Sequence, residues 1–183
     1  MVIPPKFMII GHARHGKDTV CEYIVNKYKL AYESSSHFAA RKFIFNKMKD
    51  IHGYKTVEEC LEDRVNYRDT WYHLIATYNK DDPARLGKEL YAENDIYCGL
   101  RHKREFHAMK NQGVFDYVIW VDRSDHLPPE DKSSMTLEPW MADFVIDNNG
   151  SIEETQRNTR DLMDYLLVKD LGYHAIDVIS NRQ

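Results

Sequence analysis

Nine consecutive residues near the start of the chain have the types and spacing needed to bind phosphate. They are Gly11, His12, Ala13, Arg14, His15, Gly16, Lys17, Asp18 and Thr19. The run follows the apolar residues 7–10 and precedes a segment with helical spacing from Val20. Successive backbone N–H groups in such a loop can wrap a polyphosphate, and the helix N-terminus adds a favourable dipole. The layout of strand, glycine-bounded loop, lysine and helix predicts a phosphate-binding P-loop.

Side chains within this loop have distinct expected roles. We expect Lys17 to bridge the outer phosphates and Thr19 to donate to an inner one. Asp18 stands where a Ser or Thr usually binds Mg²⁺, and a carboxylate can ligate that ion directly or through water. His12 and His15 have no third ligand nearby in the sequence, so we interpret them as loop side chains rather than a metal site. A plain strand-to-helix turn with a lysine is the alternative, which the flanking segments disfavour.

Length and composition limit the classes of function. The chain has 183 residues and a net charge of −4, which predicts one domain without general attraction to nucleic acid or anionic membranes. No stretch has the length of a membrane span and the first residues lack a signal-peptide pattern, so we expect a cytoplasmic protein with no membrane partner. The three cysteines form no C-x-x-C pair and are expected to be reduced thiols.

Apolar runs alternate with amphipathic segments along the chain. Strands are predicted at residues 7–10, 30–33, 95–99, 115–121 and 143–147. Helices are predicted at about residues 38–51, 57–78, 84–92, 101–112 and 151–168, the last beginning with a capping box of Ser151 and Glu154. This alternation indicates an α/β fold with a mainly parallel sheet. Ligands of such sheets bind beyond the carboxyl ends of the strands.

Several arginines follow predicted strands, where an anionic substrate would bind. Arg101 and Arg104 belong to the densest basic cluster, at the start of a predicted helix, where the helix dipole disfavours cations unless an anion is bound. Arg41 lies in the first turns of another helix, and Arg68 lies in the middle segment. These four arginines are the predicted substrate-binding residues. Solvated surface charge is the alternative for each.

A polar, proline-containing segment between the last two predicted strands is long enough to cover the phosphates. We expect it to form a lid loop at about residues 122–140. Arg123 would supply positive charge to a transferring phosphoryl group. An ordinary surface loop is the alternative.

Three motifs resemble those of bacteriophage deoxynucleoside monophosphate kinases: the loop with aspartate after its lysine, Gly99-Leu100-Arg101 with Glu105 after it, and residues 143–150. The resemblance implies a P-loop NTPase-type three-layer fold with a mainly parallel five-stranded sheet and a short lid. It implies one domain over residues 1–183, with a helical acceptor-side insertion at about residues 37–93. ATP with Mg²⁺ would be the donor, and a small nucleotide the acceptor.

The same resemblance implies roles for particular residues. Gly16, Lys17, Asp18 and Thr19 would hold the ATP phosphates and the metal, and Arg101 would grip the acceptor. Three further residues would lie near the adenine: Asn148, Asn149 and Gly150. Related kinases often place aspartate where Gly99 or Leu100 stands here, so a second metal carboxylate is unassigned.

Two other functions are compatible with the sequence. A related phage branch phosphorylates 5-hydroxymethyluracil bases within DNA, and the basic run from Arg101 to Lys110 would suit a DNA backbone. A hydroxymethyl acceptor would benefit from a catalytic base, which a phosphate acceptor would not need. The third possibility is an ATP-binding switch without turnover. The sequence leaves the oligomeric state open.

Overall fold

A single parallel sheet forms the centre of the molecule. The computed structural model describes residues 3–171. The five strands are β1 (Phe7–Ile10), β2 (Tyr32–Ser34), β3 (Ile96–Cys98), β4 (Tyr117–Asp122) and β5 (Phe144–Asp147). Their order is β2-β3-β1-β4-β5, and every neighbouring pair is parallel. The α/β fold with a parallel five-stranded sheet is therefore confirmed. Because β1 is central, the loop that follows it is flanked by the loops after β3 and β4.

Eight α-helices connect and cover the strands in the described part of the chain. They are α1 (Lys17–Tyr28), α2 (Ser35–Ala39), α3 (Phe45–His52), α4 (Val57–Glu62), α5 (Arg68–Tyr78), α6 (Arg85–Glu93), α7 (Lys103–Asn111) and α8 (Ile152–Leu171). A π-helical turn, Ala40–Ile44, joins α2 to α3. Helices α2 to α6 occupy the region between β2 and β3, where the sequence predicts an insertion.

The prediction of one continuous helix at residues 57–78 is wrong. A 3₁₀ turn, Asp63–Asn66, separates α4 from α5, and Tyr67 leaves the helical region with φ −128° and ψ 33°. The carboxylate of Asp63 accepts hydrogen bonds from the Tyr54 hydroxyl and from the Asn66 side chain. Such local side-chain bonds compete with the helical backbone pattern and favour a turn.

Alternating side chains of the sheet build two apolar layers. Phe7 and Ile9 face α1 and α8, together with other strand residues of the same parity. Met8 and Ile10 face the opposite side, where they pack with residues of α2, α6 and α7. Both faces are thereby covered, as expected for a parallel sheet in a three-layer fold. Cys21, Cys60 and Cys98 are buried free thiols.

The predicted capping box at the start of α8 is present. The Ser151 hydroxyl accepts from the Glu154 N–H at 3.2 Å, and the Glu154 carboxylate accepts from the Ser151 N–H at 2.8 Å. These bonds fix where α8 begins, directly after the loop that follows β5. Within residues 3–171, none of the helices combines the length and the apolar character needed to cross a membrane.

Removing the cap should weaken the fold measurably. We expect Ser151→Ala to lower the free energy of unfolding by about 1 kcal/mol, because one orphan N–H of α8 loses its acceptor. Ser151→Asp keeps an acceptor oxygen and should retain most of the stability. Urea unfolding of the three proteins measures the difference; equal midpoints for Ser151→Ala and the parent would contradict it.

Candidate phosphate-binding site

Two glycines give the loop between β1 and α1 its path. Gly11 has φ +148°, and a Cβ there would lie 2.5 Å from the Val121 carbonyl oxygen. Gly16 has φ +88°, and a Cβ there would lie 2.2 Å from Nδ2 of Asn148. Both positions therefore require glycine. Because Gly16 is the N-cap of α1 and has no side chain, the first N–H groups of that helix remain available to an anion.

Arg14 also adopts the left-handed conformation, with φ +63°. This conformation is uncommon for residues other than glycine and costs roughly 1–3 kcal/mol when surrounding structure enforces it. Its side chain is exposed, so the strain does not serve packing of Arg14 itself. The strained backbone instead bends the middle of the loop between Gly11 and Gly16.

Asn148, directly after β5, links the loop between β1 and α1 to α8. Its Nδ2 donates to the His15 carbonyl at 2.8 Å, and its Oδ1 accepts from the Thr155 hydroxyl at 2.6 Å. The residue is only 7% exposed. The sequence resemblance implies a place near adenine for residues 148–150; in the structure the carboxamide of Asn148 has both polar atoms bonded beneath the loop.

The two neighbours of Asn148 serve other local contacts. The Asn149 side chain donates to the carboxylates of Asp122 and Asp147 and accepts from the Asp125 N–H. Gly150 lies against Glu154, whose Oε2 is 2.2 Å from the position of a Cβ on that glycine. Asn149 thus ties the end of β5 to the segment after β4. The adenine contact stays a prediction for these residues.

Both loop histidines hold the segment that the sequence predicts as a lid. Nδ1 of His15 accepts from the Arg123 N–H at 3.0 Å, and Nδ1 of His12 accepts from the Glu130 N–H at 3.2 Å. Accepting at Nδ1 requires that this nitrogen carries no proton, so each ring is neutral in these contacts. Burial lowers the pKa of both histidines; their mutual repulsion lowers that of His12 further.

Glu130 connects this segment to the phosphate-binding loop. Its Oε2 accepts from the Ala13 N–H at 2.6 Å, and its Oε1 accepts from Nη1 of Arg101 at 2.5 Å. Burial alone would raise the pKa of this carboxyl, but the bond and charge of Arg101 outweigh it and the pKa is lowered. The Glu130 carboxylate thus accepts a hydrogen bond from one backbone N–H of the loop, as an anionic ligand would.

Lys17 and Asp18 occupy the first turn of α1. The ammonium of Lys17 donates to the His12 carbonyl at 2.7 Å, and burial lowers the pKa of Lys17. Asp18 and Thr19 are exposed, and the thiol of Cys98 donates to Oδ1 of Asp18 at 3.7 Å. Mg²⁺ in nucleotide sites commonly takes one or two carboxylates plus substrate phosphates, so Asp18 fits such an ion. No group of three metal-binding side chains occurs within residues 3–171.

Arg64 is a candidate site residue that the sequence did not single out. Its guanidinium is half-buried, donates to the Ser36 hydroxyl and lies 5.8 Å from the ring of Trp71. Burial lowers its pKa, the charges of Arg101 and Arg68 lower it further, and Asp18 opposes them. We call Arg64, Arg68 and Arg101 the arginine cluster. The one available signal in the sequence was the four-residue spacing between Arg64 and Arg68.

The remaining predicted cations have other partners or face solvent. Arg41 forms ion pairs with Glu33 and Glu93, each at 2.7 Å. Arg104 is exposed on α7. Arg123 contributes its backbone N–H to His15, as described above. Ligand binding by these three arginines stays a prediction, as it does for Arg68 and Arg101, whose charges act on the pKa of Arg64.

The glycine-bounded loop between β1 and α1, together with the parallel five-stranded sheet, defines an α/β protein of the P-loop type. No protein-family model and no curated protein matches the chain. Among solved structures, shikimate kinase from Aquifex aeolicus is similar, with 12% identity, coverage of 91% of this chain and 99% of that chain, and a TM-score of 0.50. A gluconokinase from Sinorhizobium meliloti has 13% identity, coverage of 93% and 99%, and a TM-score of 0.47. The first likeness shows the shared fold.

The histidine contacts predict a pH dependence. Because the pKa of His15 is lowered in the fold, its neutral form stabilises the protein fully above about pH 6.5, and this contribution is lost as the pH falls. We expect His15→Asn, which offers an untitratable acceptor near the place of Nδ1, to lose less stability than the parent between pH 7 and pH 5. Unfolding free energies measured across that range check the difference, and identical slopes would contradict it.

Proposed function

We propose that this protein is an ATP-dependent phosphotransferase. The loop supplies what a triphosphate requires: glycine positions, an uncapped helix N-terminus and a lysine in the first turn. The likeness of fold to a shikimate kinase supports this class of reaction. Catalysis would consist of positioning and electrostatic stabilisation, because phosphoryl transfer needs little covalent chemistry from the protein.

The donor side would use the loop and the start of α1. Lys17 would leave the His12 carbonyl and bind the outer phosphates, and Thr19 would donate to an inner one. Asp18 would hold Mg²⁺, which neutralises charge on the phosphates when it is bound. The Glu130 carboxylate bonds the Ala13 amide, so the terminal phosphate would have to displace it. The lid segment would then move with Glu130.

The arginine cluster is the observation that carries the acceptor proposal. Within residues 3–171, Arg101 pairs with Glu130 but Arg64 has no carboxylate partner, although it is half-buried. A partly buried cation without a counter-charge is costly, and an anionic ligand would relieve that cost. The charge of Asp18, in the first turn of α1, acts on the pKa of Arg64, which supports a position of the cluster beside the donor loop. An acceptor phosphate held there would stand next to the transferring group.

We propose a deoxynucleoside monophosphate as that acceptor. The motif resemblance to phage deoxynucleoside monophosphate kinases supports the choice of substrate, and a phosphate acceptor oxygen needs no catalytic base.

One observation favours the alternative, a kinase of 5-hydroxymethyluracil in DNA. Glu130 stands between the loop amide of Ala13 and Arg101, where a carboxylate could take the proton of a hydroxymethyl group.

Transfer of labelled γ-phosphate from ATP separates these functions. The acceptors are the four deoxynucleoside monophosphates and, separately, DNA that contains 5-hydroxymethyluracil. Transfer to monophosphates supports the proposal, and transfer to the polymer alone selects the alternative. ATP binding without transfer to either acceptor would favour a non-catalytic switch.

Two substitutions should affect different substrates. We expect Lys17→Ala to lower kcat by roughly 10²- to 10³-fold, because a cation on the transferring phosphates is lost. Arg64→Ala should raise KM for the acceptor about 10- to 150-fold, the range expected for one charged hydrogen bond, and change KM for ATP little. Arg157→Ala, at an exposed position on α8, is the matched control. Equal losses for both substrates in Arg64→Ala would remove that residue from the acceptor site.

The substitution Glu130→Gln distinguishes two roles of Glu130: competition with the terminal phosphate of ATP for the Ala13 amide, and base catalysis on a hydroxymethyl acceptor. If Glu130 only competes with the terminal phosphate, removing its charge should tighten binding of an ATP analogue several-fold, on the order of one weakened charged hydrogen bond. Transfer to monophosphates should then persist. If Glu130 is the base for a hydroxymethyl acceptor, transfer to DNA should fall about 10²- to 10⁴-fold. Calorimetry and the transfer assay measure the two effects.

A further inference from the structure

An aromatic side chain stands beside the arginine cluster without joining the core. Tyr72 lies on α5 and is 53% exposed. Its ring contacts that of His102, with 5.3 Å between centroids and 63° between planes. The ring of His73 also meets that of Tyr72 edge-to-face, with 5.5 Å between centroids, and in such contacts the edge of one ring covers part of the face of the other. Because Tyr72 is 53% exposed despite these two contacts, part of its surface is open to a flat ligand.

The rings adjoin the cluster from two elements. Tyr72 follows Arg68 by four residues on α5, so the two side chains lie on the same side of that helix. His102 directly follows Arg101 after β3. Burial and then the charge of Arg101 lower the pKa of His102, so its ring is neutral near pH 7. An uncharged aromatic face thus lies next to Arg68 and Arg101, two of the three cations of the cluster.

This combination matches the two chemical parts of a nucleotide. A phosphate needs cations, and a nucleobase offers a flat π face that stacks on aromatic side chains. We propose that Tyr72 and His102 form a stacking face for the nucleobase of the acceptor whose phosphate the arginine cluster holds. The inference deepens the proposed function and rests on it for the role of the ligand as acceptor.

A stacking face also sets the class of substrate. Stacking does not read the hydrogen-bonding edges of a base, so this face would accept different bases and reject an acceptor without one. The base could come from a free nucleotide or from an unpaired position in DNA, since both present the same face and phosphate. Single-stranded DNA and mononucleotides therefore form separate arms of the test.

Equilibrium binding without ATP tests the face apart from phosphate transfer. The probes are thymidine 5′-monophosphate, single-stranded oligothymidylate and 2-deoxyribose 5-phosphate, which has no base. The proteins are the parent, Tyr72→Ala, Tyr72→Phe and Tyr165→Ala. Tyr165 is a matched control because it is 56% exposed on α8, which packs on the other side of the sheet. Calorimetry gives the dissociation constants.

We expect Tyr72→Ala to weaken binding of the base-containing probes about 5- to 150-fold, the range for one stacked base, and to leave the baseless probe unchanged. Tyr72→Phe and Tyr165→Ala should bind as the parent does. Tighter binding of oligothymidylate than of the mononucleotide would identify DNA as the source of the base, and the reverse would identify the free nucleotide. Either result supports the stacking face.

Three results would overturn it: no binding of base-containing probes by the parent, no effect of Tyr72→Ala, or the same loss for 2-deoxyribose 5-phosphate. The labelled-phosphate assay keeps the two proposals separate. Binding that depends on Tyr72 without any transfer would reject the proposed function and keep the stacking face. Transfer with an acceptor KM that Tyr72→Ala leaves unchanged would keep the function and reject the face.

Discussion

The contact between Asn148 and the Gly16 turn is the constraint on which the site depends. The carboxamide holds the His15 carbonyl from below and lies where a side chain on Gly16 would have to be. Because Asn148 is itself bonded to Thr155 on α8, the loop after β1 is braced by the last helix of the described chain. The central place of β1 in the sheet then brings the loops after β3 and β4 to either side of this turn.

Of the two partly buried arginines Arg101 and Arg64, only Arg101 pairs with a carboxylate within the described part of the chain. Glu130 neutralises Arg101 and bonds a loop amide, whereas Arg64 keeps its charge in a partly buried place. The histidines hold the backbone of the same segment, so the position of Glu130 depends on neutral rings at His12 and His15. A polyphosphate that replaced the carboxylate would release Arg101 for a second anion. Donor binding and acceptor binding would thereby be coupled through one side chain.

The sequence predicted the features that depend on local spacing. The glycines, the lysine, the five strands and the Ser151 cap all follow from patterns within a few residues, and the structure has them, whereas the helix predicted at residues 57–78 is divided by a turn. It did not predict what depends on distant contacts. Arg64 lies in a 3₁₀ turn after α4 that the sequence pattern did not indicate, and Asn148 bonds the loop after β1 from its place directly after β5, two strands away in the sheet. The pairing of Glu130 with Ala13 spans more than a hundred residues, and no local pattern encodes it.

The most direct test of this account is a crystal structure of the protein with a non-hydrolysable ATP analogue and Mg²⁺. We expect the triphosphate to lie against the backbone amides between Ala13 and Asp18, with Lys17 on the outer phosphates and Glu130 displaced from Ala13. A saturating analogue that leaves the Glu130 carboxylate on the Ala13 amide, or binds elsewhere on the molecule, would contradict it.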